Sequence, residues 1–168
     1  MSSSLHVFAL CVLVLFAKML AISCYQGFFR LRHRAFTNPE DAGFFKRDAL
    51  VHELSAVSRA SRAWANDLEN IPLFFALGGL CVALGTPGVA TAWLFALFTV
   101  ARVLHTLMYL GRRQPWRTLA YGVGLACLLG LAGLIGAALL PIRYGICRMP
   151  GVARPTGRGV AGWESPRP

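Results

Sequence analysis

Three groups of polar side chains lie beside long apolar runs, and their types and spacing suit the capture of an anion. The first is Arg62, Asn66 and Glu69, which fall on one face of a helix, with Arg59 a turn earlier. That face offers a cation, an amide that works both ways as donor and acceptor, and a carboxylate. The second is Arg102, His105 and Tyr109, whose i, i+3, i+7 spacing also places them on one face. The third is Arg117, Thr118 and Tyr121, in which Arg117 and Tyr121 are an i, i+4 pair. Polar groups next to a membrane's apolar layer are costly and need partners. A network between helices would satisfy any one of them. Taken together, the arginines outnumber the two nearby acids, Asp67 and Glu69, so the surplus cations call for an anion from outside the chain. Arginine forks suit carboxylates, and Glu69 suits an ammonium. The pattern therefore describes a zwitterionic ligand with several carboxylates. No GxSxG, HExxH, Walker or Rossmann pattern occurs, so no covalent nucleophile is expected from the chain. A nucleophile carried by the ligand fits better. A ligand thiol beside Arg117 would have its pKa lowered, and Thr118 or Tyr121 would donate a hydrogen bond to the sulfur.

These groups need a scaffold, and the composition specifies one. The chain has 168 residues, of which 56% are hydrophobic and only 14% charged; a soluble domain averages about 25% charged. Apolar runs at about 5–29, 71–86, 90–111 and 118–141 approach the roughly 20 residues that cross a bilayer. The predicted fold is all-α: a polytopic membrane protein built as a four-transmembrane-helix bundle. Residues 1–148 form the membrane domain, and 149–168, rich in Pro, Gly and Arg, form a disordered tail. The first run reads as a retained span rather than a signal peptide, because no basic residue precedes it, it is long, and Lys18 interrupts it. Lys18 lies deep in that span, so its ammonium is expected to face the bundle interior. Residues 48–70 predict a helix that runs on into the second span and kinks at Pro72. Asn38-Pro39-Glu40-Asp41 predicts a turn and helix start. Residues 85–88 and 111–117 predict tight turns, the second one basic. Gly122, Gly124, Gly130, Gly133 and Gly136 in the fourth span are expected to allow close helix approach.

The formal charge of +10 is explained by topology. The basic loops at 30–62 and 112–117 lie on one side of the membrane, which the positive-inside rule makes cytoplasmic. The tail arginines, Arg143, Arg148, Arg154, Arg158 and Arg167, run against that rule on the far side. Nucleic acid is not an expected partner, because the charges sit between spans and no basic helix is free to enter a groove. The five cysteines (Cys11, Cys24, Cys81, Cys127 and Cys147) contain no CxxC pair and are expected to be buried, inert thiols, with no metal site. Arg30 directly abuts the first span and would reach a ligand carboxylate at the membrane surface.

Four stretches in order carry a family resemblance. They are Arg30-Leu31-Arg32 with Ala35-Phe36-Thr37-Asn38-Pro39-Glu40-Asp41; Asn66-Asp67-Leu68-Glu69-Asn70-Ile71; Ala101-Arg102-Val103-Leu104-His105-Thr106 with Tyr109-Leu110; and Gln114-Pro115-Trp116-Arg117-Thr118. Over about residues 10–140 the chain resembles the membrane-associated proteins in eicosanoid and glutathione metabolism, the MAPEG family. The resemblance implies a homotrimer of four-helix subunits with glutathione bound between neighbours near the cytoplasmic side. It places Arg30, Arg62, Asn66, Glu69, His105, Tyr109, Arg117 and Tyr121 on glutathione-binding positions, and Arg117 and Thr118 on catalytic ones. It implies a glutathione transferase that conjugates the thiolate to hydrophobic electrophiles delivered from membrane lipid, and that also reduces lipid hydroperoxides. Two other branches stay open: glutathione-dependent isomerisation of a prostaglandin endoperoxide, and a non-catalytic lipid-binding scaffold. Ser61 and Trp64 stand where relatives carry arginine and histidine. Ala65 replaces an arginine of the isomerase branch, and Ala42 replaces a cysteine of the transferase branch.

Overall fold

The computed structural model describes residues 3–145, with side chains from 4 to 140. The helices are α1 (Ser3–His33), α2 (Pro39–Phe44), α3 (Ser55–Ala83), α4 (Gly88–Leu110) and α5 (Gln114–Gly145). Helices α1, α4 and α5 are long and apolar enough to cross a membrane. Helix α3 is the fourth long helix, with a polar first half and an apolar second half. The molecule is thus an all-α membrane bundle. The expected tail at 149–168 and Cys147 lie outside the described residues.

Local chemistry sets the helix ends. Asn38 caps α2 by accepting a hydrogen bond from the Glu40 backbone N–H, and Pro39 opens the helix where its missing N–H costs nothing. Gly85 takes φ +64 after α3, a left-handed conformation that glycine adopts without strain. The helix expected over 48–70 begins only at Ser55. The segment before it is tied back to α1 and the connection after it: Glu53 pairs with Arg30 of α1, and the Leu50 N–H bonds to the Phe36 carbonyl. Helix α3 continues through Pro72.

At the end of the bundle away from the basic loops the core is aromatic and apolar. Phe74 of α3 stacks on Phe98 of α4 with ring centroids 4.4 Å apart, and Phe8 of α1 meets both Phe74 and Phe95. Gly78 makes room for Phe8, since a Cβ there would run into its ring. Leu15, Ile71, Cys81, Cys127 and Leu131 complete the core. Two expectations need correction. Cys24 is exposed, because it lies on the outward face of α1. Of the α5 glycines, only Gly124 and Gly130 face α4, against Arg102 and Leu94. Gly122, Gly133 and Gly136 have nothing within 4 Å of an added Cβ.

Lipid tails are as apolar as the core, so packing rather than transfer from water holds this end together. Phe74→Ala should therefore cost about 2 kcal/mol, mostly the cavity contribution, in reversible unfolding from mixed micelles.

Candidate functional site

The polar half of the bundle is organised by Asp67, which is fully buried. Lys18 Nζ of α1 donates to its Oδ2 at 2.5 Å, and Arg102 Nη2 of α4 donates to its Oδ1 at 3.0 Å. Thr106 Oγ1 adds a longer hydrogen bond to Oδ2. The interior orientation expected for Lys18 is present, with its partner supplied by α3. Arg102 Nη2 also reaches the Asn66 side-chain oxygen at 2.6 Å and the Asn66 carbonyl at 3.1 Å. Gly124 of α5 leaves space for the arginine stem. Two cations here face one carboxylate. The Arg102 Nε and His105 Nδ1 atoms are buried without a hydrogen-bond partner among the described residues.

Next to this cluster, α3, α4 and α5 enclose a cavity of about 410 Å³. Helix α3 contributes Arg62, Ala65, Asn66 and Glu69; α4 contributes His105 and Tyr109; α5 contributes Arg117, Thr118 and Tyr121. The Arg117 guanidinium lies over the Tyr109 ring, 4.7 Å from its centroid. The His105 ring neighbours both Tyr109 and Tyr121. This cation–π contact helps to position the Arg117 charge at the cavity wall. The wall presents two guanidinium groups and one carboxylate, with the cation-rich Asp67 cluster behind them. Such a site favours an anion that also carries an amine.

Eight of the residues singled out from sequence therefore share one cavity, and Arg59, Arg102 and Arg30 do not join them. Arg102 turns inward to Asp67 instead of following His105 and Tyr109 to the cavity wall. Its guanidinium stabilises the buried carboxylate. Arg30 lines a separate recess with Ser23, Gln26, Gly27 and Trp64, and its Nε and Nη2 donate to Glu53 Oε2 at 3.1 and 2.6 Å. Within one chain, Arg30 and the cavity are apart. The Asp67 pairing itself was not evident from the sequence. Its signal was Lys18, a cation too deep in an apolar run to lack a partner.

The MAPEG family model matches residues 8–137. Human prostaglandin E synthase is 40% identical over 122 residues, covering 71% of this chain and 80% of the relative. Rat microsomal glutathione S-transferase 1 is 41% identical over 125 residues, with 71% and 80% covered. The bovine transferase is 40% identical over 131 residues, with 74% and 84% covered.

Removing the central carboxylate would strand two buried cations. Asp67→Asn should lower unfolding stability by about 3 kcal/mol. Adding Lys18→Met to that variant should restore part of the loss, read as the midpoint of denaturant unfolding in micelles.

Proposed function

The chain belongs to the MAPEG family, and on that footing we propose that it is a membrane-bound glutathione transferase acting on hydrophobic electrophiles and lipid hydroperoxides. The observation that carries the reading is the convergence of Arg62, Asn66, Glu69, His105, Tyr109, Arg117, Thr118 and Tyr121 on one cavity. The cavity fits the tripeptide in size class and in charge. Its volume lies within the range of about 300–1,000 Å³ usual for small-molecule sites. Within one chain it has Arg62 for a carboxylate, Arg117 for the sulfur and Glu69 for an ammonium.

Bound glutathione supplies the thiolate, which forms a carbon–sulfur bond to the electrophile as the leaving group departs with its electron pair. The chain's own residues hold and polarise. Arg62 binds a ligand carboxylate, and Glu69 takes the ammonium. Arg117, its guanidinium carbon over the Tyr109 ring, places positive charge beside the sulfur and favours its ionised form. Thr118 Oγ1 donates a hydrogen bond to the same atom. His105 and Tyr121 form part of the cavity wall, with their rings adjacent. The electrophile enters sideways from the bilayer, in the endoplasmic reticulum of a eukaryotic cell or the inner membrane of a bacterium. The working unit is a homotrimer, which would bring Arg30 of one subunit to the cavity of the next. That arrangement gives a role to an arginine that lines a recess apart from its own chain's cavity.

A second reading is glutathione-dependent isomerisation of a prostaglandin endoperoxide. It is supported by the equally similar human prostaglandin E synthase. Ala65 on the cavity wall weighs against it, standing where the isomerase branch has an arginine.

Arg117→Ala should lower kcat/KM for a model aryl halide by about 100-fold with the fold intact; full turnover in that variant would remove Arg117 from the mechanism. In the trimer, Arg30→Ala should raise KM for glutathione several-fold with little change in kcat. Product analysis separates the two activities: a transferase consumes glutathione in proportion to product, whereas an isomerase returns it.

A further inference from the structure

A second cavity lies on the other side of the α4–α5 pair and shares no residue with the glutathione-type site. It is a groove of about 450 Å³ whose floor is made by two buried small residues, Ala101 and Ala120. Leu97 and Met108 mark its two ends on α4, and Trp116 flanks it on α5. These features differ from an ordinary lipid-facing surface in three respects.

The first is length. From Leu97 to Met108 the helix rises about 16 Å at 1.5 Å per residue, which matches the roughly 15 Å of hydrocarbon in one leaflet. The second is charge at one end only. Arg113, in the turn that joins α4 to α5, caps the groove. Among the described residues no acid pairs with its guanidinium, and Arg112 beside it adds a second cation. The third is the position of Trp116, 60% exposed at the charged end of the groove. That is where an indole sits when it marks the boundary between headgroups and hydrocarbon.

We propose that this groove holds an acyl chain of an anionic phospholipid of the bilayer, with the lipid phosphate on Arg113. Both helices cross the membrane, so the groove opens onto lipid along its length. The smooth floor of Ala101 and Ala120 admits a chain between the helices. The unpaired arginine selects a headgroup with net negative charge over a zwitterionic one, whose own ammonium competes for the phosphate. Arg113 is on the same side as the other basic loops, so the lipid belongs to the leaflet that the positive-inside rule makes cytoplasmic, the leaflet rich in anionic lipid.

Lipid retention tests this directly. The full chain is equilibrated with equimolar dioleoyl-phosphatidylglycerol and dioleoyl-phosphatidylcholine, extracted in mild detergent and weighed intact by native mass spectrometry. The expected result is retention of phosphatidylglycerol several-fold over phosphatidylcholine. Arg113→Gln should bring the ratio close to one, and Arg113→Lys should keep most of the preference. Val100→Trp, at an exposed position on the groove wall, should reduce retention of both lipids. Equal retention of the two lipids by the unaltered chain, or an unchanged preference in Arg113→Gln, overturns the proposal. Because the groove and the candidate active site share no residue, neither result depends on whether the chain turns over glutathione.

Discussion

A single buried carboxylate fixes the arrangement of the polar half of this bundle. Asp67 on α3 draws Lys18 from α1 and Arg102 from α4 into one cluster, and Gly124 on α5 yields the space the arginine occupies. In a bilayer, apolar surfaces gain little by meeting one another, so Leu- and Val-rich helices slide and rotate at small cost. A carboxylate with two cations removes that freedom, because a shift of one helical turn would leave a charge unpaired in hydrocarbon. Buried ion pairs are weak evidence for net stability, and their best-attested use is in setting register. That is the role the geometry supports here.

Function and architecture meet on α3. Its polar first half carries both the cluster and the cavity wall, because successive helical residues point 100° apart. Asp67 faces inward, while Arg62, Asn66 and Glu69 line the cavity beside it. The apolar second half of α3 joins the stacked Phe74 and Phe98 at the other end of the bundle. The molecule is thereby divided along its length into an aromatic end that packs and a charged end that carries the candidate cavity.

Much of this was legible in the sequence, for physical reasons. The long apolar runs at the start of the chain and in its second half have the length and composition of helices that cross a membrane. The i, i+3, i+4 spacings of Arg62, Asn66 and Glu69, and of His105 and Tyr109, fixed which side chains share a face. What spacing could not show was how the faces turn toward one another. Arg102 has the same periodicity as His105, yet it is captured by Asp67, a residue 35 positions away. The start of α3 was misplaced because good helix formers at 48–54 are outweighed by tertiary contacts, the Arg30–Glu53 pair among them. Arg30 illustrates the same limit: its proximity to the membrane surface was readable, but the face to which it points was not.

The hydrogen bond from Arg102 to Asn66 has a further consequence. An asparagine at a cavity wall is normally ambiguous, since its amide can rotate to offer either an oxygen or an NH2 group. Arginine can only donate, so the 2.6 Å contact fixes the Asn66 oxygen on the inner side. The NH2 is then what remains for anything in the cavity. The ion cluster thus acts as a polariser: it turns a reversible amide into a one-way donor, and the wall reads only acceptors at that point. A ligand presenting a donor there would meet a mismatch that no local side-chain rotation relieves without breaking the arginine contact behind it.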